Sequence, residues 1–348
     1  ESDLYFLRTN NTLKYRPRIS VIIPTFNTNL KYLAEALDSV INQTYTNWEI
    51  CIGDGNSNIE VKNLLNKYQK AFPNIKITFL NDNKGIVTNS NEALKLSTGD
   101  FITFLDHDDT LAPFALFEVI KELNKDQTLD IIYSNEDKIT KDGIRCNPHF
   151  KPVWSPDTLR SYNYICHLVV YRSSLIKELN GLREGFDGAQ DYDLILRASE
   201  KTSKIYHINK ILYHWRMCEG STALDGTNKP YAYEAGKRAI QEHVNRINYG
   251  SASVDDGLFF GSYKVSRLMK HQPLVSIIIP NQNNYNTLKT CIDSIGVTSF
   301  LSKGSYKNYE FIILENGTTD PDTLEYYKYL ECEGVKIVRW EKDYFNYS

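Results

Sequence analysis

The fold and the chemistry both depend on one stretch, GDFITFLDHDDT at residues 99–110. Its residues 101–105 are aromatic and aliphatic, which predicts a short buried strand. Three carboxylates, Asp106, Asp108 and Asp109, follow at the carboxyl end of that strand, where open α/β sheets hold their ligands. Two like charges about 4 Å apart repel by roughly 4 kcal/mol at an effective dielectric of about 20. The cluster therefore needs a cation, a proton or good solvation.

Oxygen-only ligation favours Mg²⁺ or Mn²⁺, ions that share their coordination with substrate phosphates. The alternative is a solvated acidic turn that caps a helix beginning near Pro113, because Asp and Thr are good N-cap residues. The rest of the sequence has to decide between a metal site and a turn.

The length and composition of the chain exclude several classes of protein. Its 348 residues, 41% hydrophobic and 24% charged, are ordinary for a globular protein of one large or two smaller domains. A formal net charge of −3 gives no reason to expect nucleic acid or an anionic membrane as a general partner. The six cysteines form no Cys-x-x-Cys pair, which predicts free thiols in a reducing cytoplasm.

No run of the sequence approaches 18 apolar residues, and no signal peptide is visible. We therefore expect a cytoplasmic protein, for which the inner face of the cell membrane is the available surface for peripheral association. The chain starts at Glu1 without a methionine, which is typical of a processed or trimmed piece. The oligomeric state, including a homo-oligomer, stays open.

Strands and helices alternate along the first part of the chain. Strands are predicted at residues 18–24, 48–53, 75–80 and 101–105, and helices at about 30–41, 60–71, 89–97 and 113–124. Such alternation predicts an α/β fold with a mostly parallel sheet and right-handed crossovers. The ends of the first, second and fourth strands, residues 24–27, 54–57 and 106–109, are then expected to face one crevice.

The pattern becomes less regular after a strand at residues 131–134. Residues 135–138 and 151–156 are interpreted as long loops, which are often functional. Further strands are predicted at 164–171, 204–208 and 211–215, and a helix is predicted at about 230–246.

Residues 273–348 repeat the beginning of the first domain. Ser276 to Pro280 match Ser20 to Pro24, and Glu315 falls where Asp54 falls in the first copy. A second acidic cluster at the same spacing would lie beyond residue 348, so we expect a partial repeat without that site. The predicted domains are a lead-in (1–17), a catalytic domain (18–246), a linker (247–272) and the partial repeat (273–348).

Six short motifs in one order resemble family 2 glycosyltransferases of the GT-A fold. They are VIIPTFN at 21–27, GDG at 53–55, NKGI at 83–86, GD at 99–100, DHD at 106–108 and QD at 190–191. Within the family, the chain is similar to bacterial enzymes with tandem catalytic domains that build cell-surface polysaccharides. The resemblance covers residues 18–245 and implies a GT-A (Rossmann-like) mixed sheet flanked by helices.

The resemblance implies an inverting transfer of a sugar from a nucleotide-diphosphate sugar to a hydroxyl of a glycan, lipid-linked glycan or glycoprotein. A UDP-sugar is favoured, and dTDP-rhamnose also fits. The implied nucleotide and donor positions are Pro24, Thr25, Phe26, Asn27, Asp54, Asn91, Asp106, His107 and Arg216. Among them, Asp54 would accept the N3–H of uracil or thymine, although Gly55 and Asn56 depart from the common Asp-Asp-Gly-Ser.

The resemblance also implies the catalytic and metal residues. Asp108 would ligate Mn²⁺ or Mg²⁺, and His214 is a candidate further ligand, with a structural role as the alternative. Asp191 would be the general base; the alternative is a carboxylate that interacts favourably with a helix dipole. Positions suggested to contact the acceptor sugar are Trp154, Glu136, Asp137 and Gln190, the last standing where the family often has glutamate. Ser221 and Thr222 are further candidates near the diphosphate.

Two other functions compete with glycosyl transfer. The stretch from Asp106 to Thr110 also fits the Asp-x-Asp-x-Thr signature of haloacid-dehalogenase-like phosphatases, whose first aspartate is a nucleophile. That signature normally ends the first strand of its domain, whereas three predicted strands precede it here. The other alternative is a non-catalytic, nucleotide-sugar-binding or scaffold fragment, which is the preferred interpretation of residues 273–348.

Overall fold

The computed structural model describes residues 13–217, 230–247, 251–267, 271–295 and 306–340. The chain divides into two compact units, Glu1–Arg267 and Leu268–Ser348. Ser221 and Thr222, suggested near the diphosphate, lie outside the described residues.

The first unit alternates strands and helices as predicted. Its strands are β1 (Ile19–Thr25), β2 (Trp48–Asp54), β3 (Ile75–Phe79), β4 (Phe101–Phe104), β5 (Thr110–Leu111), β6 (Ile131–Ile139), β7 (Arg145–His149), β8 (Val169–Arg172), β9 (Ile205–Arg216), β10 (Ala252–Asp256) and β11 (Tyr263–Arg267). Its helices are α1 (Leu30–Ile41), α2 (Ile59–Ala71), α3 (Ile86–Leu94), α4 (Ala115–Lys125), α5 (Pro156–Ser161), α6 (Ser173–Glu178), α7 (Gln190–Ser199) and α8 (Pro230–Arg246).

Nine of these strands form one mixed sheet in the order β3-β2-β1-β4-β8-β6-β9-β5, with β7 paired to β6. The strands β3, β2, β1 and β4 are parallel, β8 is antiparallel to both β4 and β6, and β9 returns parallel to β6. The predicted mixed, mostly parallel α/β sheet is therefore observed. Since β1, β2 and β4 run side by side in the same direction, their carboxyl ends meet at one edge, as expected for the crevice.

The apolar sequence of β1 follows from burial on both faces of the sheet. Ile19, Val21 and Ile23 enter one hydrophobic cluster, whereas Ile22 enters a second cluster on the opposite face. Successive residues of a strand point to opposite faces, so a strand covered on both sides is apolar throughout.

One predicted loop, two predicted strands and the predicted linker have a different structure. Residues 135–138 lie inside β6, and the two strands predicted at 204–208 and 211–215 are one strand, β9, with a register shift against β6. Residues 252–267 of the predicted linker form the β10–β11 hairpin, which packs on α8. The Gln241 side chain fixes it there, donating to the Ala252 carbonyl at 3.0 Å and accepting from the Val254 N–H at 3.1 Å.

The second unit contains a strand–helix–strand–helix–strand run. Its elements are β12 (Val275–Asn281), α9 (Tyr285–Ile295), β13 (Tyr309–Glu315), α10 (Pro321–Cys332) and β14 (Lys336–Arg339). The three strands are parallel in the order β12-β13-β14. In neither unit does the described part of the chain contain a helix with both the length and the apolar character needed to cross a bilayer.

Candidate active site

An open cleft of about 760 Å³ lies at the carboxyl ends of β1 and β4. Its volume is within the range of about 300–1,000 Å³ that is typical of ligand sites. Phe26 and Gly85 line it together with Asp106, predicted to bind the donor, and Asp191, predicted to be the general base. A small internal cavity of about 40 Å³ adjoins the same carboxylates and is lined by Pro24. The structure thus brings together residues that are far apart in the sequence.

The acidic turn after β4 contains one buried carboxylate and two half-exposed ones. Asp109 is buried, and its carboxylate accepts hydrogen bonds from the Tyr213 hydroxyl at 2.5 Å and the Arg216 N–H at 2.7 Å. Burial, reinforced by the charges of Asp106 and Asp108, raises the pKa of Asp109 well above its usual range. Asp109 therefore fixes the turn, and Asp106 and Asp108 are left as the accessible acids.

Asp106 and Asp108 fit the requirements of a hard divalent cation. Both carboxylates are half-exposed, and Asp106 lines the cleft. Magnesium-like ions are commonly held by one or two carboxylates, with substrate phosphates supplying other ligands. No group of three or more His, Cys, Asp or Glu side chains at metal-binding distance occurs among the described residues. Asp106 and Asp108 are therefore the two carboxylates that would hold such an ion.

Asp191 lies in the first turn of α7 and is held by an amide. Its Oδ2 accepts a hydrogen bond from Asn163 Nδ2 at 2.8 Å. Burial raises the pKa of Asp191, the charge of Asp106 raises it further, and His167 and Asn163 oppose the shift. Asp191 is thus a carboxylate whose basicity is increased by its surroundings, and it interacts electrostatically with the acid at the end of β4.

The segment between α5 and β8 supplies cleft residues that the sequence analysis missed. Asn163, Cys166 and His167 all line the cleft. The His167 ring stacks on Tyr213 with centroids 4.5 Å apart and meets Trp215 edge-on at 5.8 Å. The sequence predicts a strand at residues 164–171, so no sequence signal marks residues 164–168 as part of a cleft-lining loop.

Glu136 supports this loop through buried contacts, and its predicted contact with the acceptor sugar stays a prediction. It is buried, and its Oε2 accepts from the His167 N–H at 3.0 Å and lies 3.4 Å from Lys151 Nζ. The Lys151 ammonium also donates to the Ile165 and His167 carbonyls. Burial alone would raise the pKa of Glu136, but Lys151 and its other partners outweigh burial and lower it.

Asp137 and His214 form a buried pair away from the cleft. His214 Nδ1 lies 2.5 Å from Asp137 Oδ1, and Asp137 Oδ2 accepts from Arg145 Nε at 2.6 Å. Burial lowers the pKa of His214, although Asp137 opposes the shift. Since neighbouring residues of β9 point to opposite faces, His214 points away from the cleft that Trp215 lines. The pair with Asp137 gives His214 a structural role, whereas metal ligation by His214 and a sugar contact of Asp137 stay predictions.

Arg216 also has a structural role that differs from the prediction. Its guanidinium is buried, donates to the Asp108 carbonyl and to Glu35 at 2.6 Å each, and lies 4.3 Å from the centre of the Tyr32 ring. These contacts tie the acidic turn to α1. Arg216 therefore positions the backbone of Asp108, and its contact with a diphosphate stays a prediction.

Asp54, which is predicted to bind the nucleotide base, connects the ends of β1 and β2. It is 0% exposed, and its oxygens accept from the Thr25 hydroxyl at 3.0 Å and the Ser57 N–H at 2.9 Å. Asn27, with φ of 49°, accepts from the Asn58 N–H at 2.9 Å. Asp54 and Thr25 therefore order this edge of the crevice, and the structure offers no surface of Asp54 to a base.

The remaining predicted residues divide between the cleft and the core. Gln190 lines the cleft, and Phe26, 42% exposed, presents its ring there. His107 is half-exposed, with Nδ1 3.7 Å from Asp108 Oδ1. Asn91 is a structural clamp: its amide donates to the Leu182 carbonyl at 2.8 Å and accepts from the Leu182 N–H at 3.0 Å.

Trp154 is partly buried and packs against the hydrophobic cluster that contains Ile22 and Tyr164. It is not among the cleft-lining residues, so the structure supports core packing for this side chain.

Comparison with known proteins identifies the family. The model for glycosyl transferase family 2 matches residues 20–179. The chain is 40% identical over 341 residues to an uncharacterized protein of Sinorhizobium fredii. The aligned region covers 97% of this chain and 37% of that protein. It is 34% identical over 313 residues to the O-antigen biosynthesis protein RfbC of Myxococcus xanthus, covering 90% of this chain and 24% of that protein. Residues 20–179 of this chain form a glycosyltransferase family 2 domain.

The fold agrees with that assignment. The chain resembles the crystal structure of Staphylococcus aureus TarS residues 1–349 in complex with UDP-GlcNAc, with a TM-score of 0.54, 23% identity and coverage of 65% of this chain and 66% of that one. The predicted family is confirmed for residues 20–179, and the predicted GT-A fold is confirmed. The match to a glycosyltransferase family argues against the phosphatase alternative. The chain spans less than two fifths of the length of the two curated relatives named above.

Proposed function

We propose that the first unit is an inverting glycosyltransferase. It moves a sugar from a nucleotide-diphosphate sugar, with a UDP-sugar favoured over dTDP-rhamnose, to a hydroxyl of a glycan or glycoconjugate acceptor in surface polysaccharide or glycoprotein glycan synthesis. One observation carries the proposal: Asp106, which follows β4, and Asp191, at the start of α7, line one cleft, and the charge of one raises the pKa of the other.

In the proposed reaction, Asp191 is the base. The acceptor oxygen forms a bond to the anomeric carbon, the bond from that carbon to the diphosphate oxygen breaks, and the hydroxyl proton passes to Asp191. The diphosphate leaves with the bonding electron pair. A positioned base typically contributes about 10²–10⁴-fold in rate, and a raised pKa makes Asp191 a better proton acceptor than an ordinary aspartate. Attack from the side opposite the leaving group inverts the anomeric carbon.

Asp106 and Asp108 are the residues that would hold Mn²⁺ or Mg²⁺, which family 2 enzymes of the GT-A fold commonly use. A bound divalent ion supplies stabilisation of negative charge on the departing diphosphate. The buried contacts of Asp109 and Arg216 keep the turn in the conformation that presents these two carboxylates. The Asn163–Asp191 hydrogen bond similarly orients the base.

The comparisons support the choice of substrates. The similar TarS structure contains UDP-GlcNAc, which supports a uridine nucleotide donor. The O-antigen relative supports a glycan acceptor, as does a Campylobacter jejuni relative, 39% identical over 111 residues and named a GalNAc(5)-diNAcBac-PP-undecaprenol beta-1,3-glucosyltransferase.

The test is calorimetric titration of UDP, dTDP and GDP, with Mn²⁺ and with chelator, into the wild type and Asp108→Ala. We expect metal-dependent binding of UDP or dTDP that the variant loses. The matched control is Asp142→Ala, which removes an exposed carboxylate from the β6–β7 turn and should bind like the wild type. If no nucleotide binds in the presence of metal, the chain has the family's shape without its chemistry, and the scaffold alternative holds.

A further inference from the structure

Part of the cleft wall is aromatic and comes from elements that the sequence analysis placed in a linker or left without a role. Tyr231 and Tyr233 of α8 line the cleft together with Phe260 and Tyr263 of the β10–β11 hairpin. The same cleft contains Asp191. None of these four aromatic residues has a part in the donor site described above.

Three of the rings are stacked in a column. The Phe260 and Tyr233 centroids are 4.9 Å apart with an interplanar angle of 25°, and those of Tyr233 and Tyr263 are 4.9 Å apart at 16°. Tyr263 is in turn 6.2 Å from Tyr192, the residue that follows Asp191. The aromatic column therefore runs from the hairpin tip to the neighbour of the proposed base.

The inner rings are anchored and the outer rings are open. The Tyr263 hydroxyl donates to the Tyr233 carbonyl at 3.0 Å, and the Tyr233 hydroxyl donates to the Ser262 carbonyl at 3.1 Å. Phe260 is 45% exposed and Tyr231 is 56% exposed. Anchored inner rings hold Phe260 in place, so an incoming ring meets a preformed apolar surface rather than a mobile side chain.

Polar groups accompany this apolar surface. Asn163, Asp187 and Gln190 line the same cleft. The Gln190 Oε1 atom is buried and has no hydrogen-bond partner within the part of the chain that the structure describes. A buried amide oxygen without a partner is costly unless a ligand donates to it. Aromatic faces beside amide and carboxylate groups match the chemistry of a pyranose, which has C–H bonds on its faces and hydroxyls on its rim.

We infer that the aromatic column, with Tyr231, is the acceptor subsite and that it binds the sugar rings of a glycan chain. The acceptor is an oligosaccharide of two or more sugars: one ring lies on Phe260, and the terminal sugar presents its hydroxyl to Asp191. This inference rests on the proposed glycosyl transfer. It assigns a substrate-binding role to the hairpin of residues 252–267.

The experiment measures binding of the full chain, loaded with UDP and Mn²⁺, to an array of bacterial surface oligosaccharides and glycosaminoglycan fragments of one to six sugars. Wild type, Phe260→Ala, Phe260→Trp and Phe259→Ala are compared. Phe259 is the matched control, because it is in the same turn and 64% exposed but does not line the cleft. We expect wild type to bind one class of oligosaccharide and not its monosaccharides.

Phe260→Ala should weaken that binding about three- to ten-fold, the typical contribution of one aromatic stacking contact. Phe260→Trp should restore it, and Phe259→Ala should bind like the wild type. Equal weakening by Phe259→Ala and Phe260→Ala, unchanged binding by Phe260→Ala, or no oligosaccharide bound by the wild type would each overturn the inference.

A UDP titration on the same samples separates failure of this inference from failure of the proposed function. If UDP binds and glycan binding does not depend on Phe260, only the acceptor subsite is wrong. If UDP does not bind the wild type, the proposed transfer itself fails. If Phe260→Ala and Phe259→Ala both release the protein from phosphatidylglycerol–phosphatidylethanolamine vesicles while glycan binding is unchanged, the hairpin contacts a membrane and the inference is wrong.

Discussion

The two units contain the same strand–helix–strand pattern in different surroundings. Register is equivalent in both: Ile19 pairs with Trp48 in the first unit, as Val275 pairs with Tyr309 in the second. Yet β1 is buried along its whole length, whereas most of β12 is exposed or half-exposed. The same local pattern therefore specifies the strand pairing in both units. The burial of each strand depends on the helices and loops that pack on the sheet.

Gly53 shows what the close packing of a helix on the sheet requires of the strand. A Cβ built on Gly53 would lie 1.9 Å from the Asn89 carbonyl oxygen, because α3 packs directly on β2 at this point. The equivalent position in the second unit is Leu314, in β13. A glycine is therefore needed where a helix approaches the sheet closely, and a leucine is accepted where the described part of the second unit has no such helix.

The chemistry differs between the units in the same way. Asp54 and Glu315 occupy equivalent positions, and each accepts a hydrogen bond from the backbone N–H three residues later, at Ser57 and Thr318. This turn structure is shared by the two units. Asp106 and Asp191, which line the cleft of the proposed reaction, belong to the first unit, and we expect that reaction to depend on them.

The largest predicted effect tests that difference. Asp191→Asn removes the proposed base while leaving an amide of the same shape, so sugar transfer should fall by about 10²–10⁴-fold with UDP binding retained. Glu315→Gln, the control in the second unit, should leave turnover unchanged. Steady-state kinetics with a UDP-sugar and the array-selected acceptor provide the measurement. Near-full turnover by Asp191→Asn would mean that another group is the base.

The pH profile of the same reaction gives a related expectation. Asp191 must be deprotonated to accept the hydroxyl proton, and its pKa is raised by burial. Turnover should therefore decline on the acid side at a higher pH than the pKa of an ordinary aspartate, about 3.9, would produce. A decline centred at or below that value would show that Asp191 is not the titrating base.

A smaller effect concerns the buried face of β1. Ile22 is 0% exposed and its equivalent in β12, Ile278, is 64% exposed. Ile22→Ala should lower the free energy of unfolding of the first unit by about 2–5 kcal/mol, because it leaves a cavity in a close-packed core. Ile278→Ala should change that of the second unit by about 0.5 kcal/mol or less. Native-state hydrogen exchange of the β1 and β12 amides measures each unit separately. A large cost for Ile278→Ala would show that β12 is covered in solution.

Much of the first unit could be predicted from its sequence, because its strands and helices have strong local signals. Apolar runs that stop at Pro24, Asp54 and Asp106 correctly located one edge of the sheet. The polar residues of β6 could not be placed in this way. Asp137 is satisfied by His214, 77 positions away, and Glu136 by Lys151, so burial of these carboxylates depends on tertiary pairing that no local pattern contains.

The residues of the candidate site likewise divide into those marked by local motifs and those whose roles depend on tertiary contacts. Asp106, Asp108 and Asp191 follow strong motifs, and the structure places Asp106 and Asp191 in one cleft. His214 and Arg216 also belong to a recognisable motif, yet their side chains are buried in the protein. Alternation along β9 points both away from the cleft that Trp215 lines. Phe260 had no signal, because a hairpin tip with two phenylalanines resembles any exposed apolar turn.

The smallest predicted effect compares two glutamates that accept equivalent hydrogen bonds. Ser20 donates to Glu49 and Ser276 donates to Glu310, both at 2.6 Å. Glu49 is buried and also pairs with Lys76 at 2.8 Å. Burial alone would raise the pKa of Glu49, but the hydrogen bonds from Lys76, Ser20 and Thr98 outweigh it and lower the pKa to about 2.

A pKa below the ordinary value means that Glu49 contributes stability above about pH 4.5 and loses it as the pH falls toward 2. Glu49→Gln should therefore cost about 1–3 kcal/mol of first-unit stability at pH 7 and much less near pH 3, whereas Glu310→Gln should cost about 0.5 kcal/mol or less at either pH. Hydrogen exchange of the β2 and β13 amides at the two pH values distinguishes them. Equal costs for the two variants, or a Glu49→Gln cost that is independent of pH, would show that the shared serine–glutamate bond, rather than the buried ion pair with Lys76, stabilises the first unit.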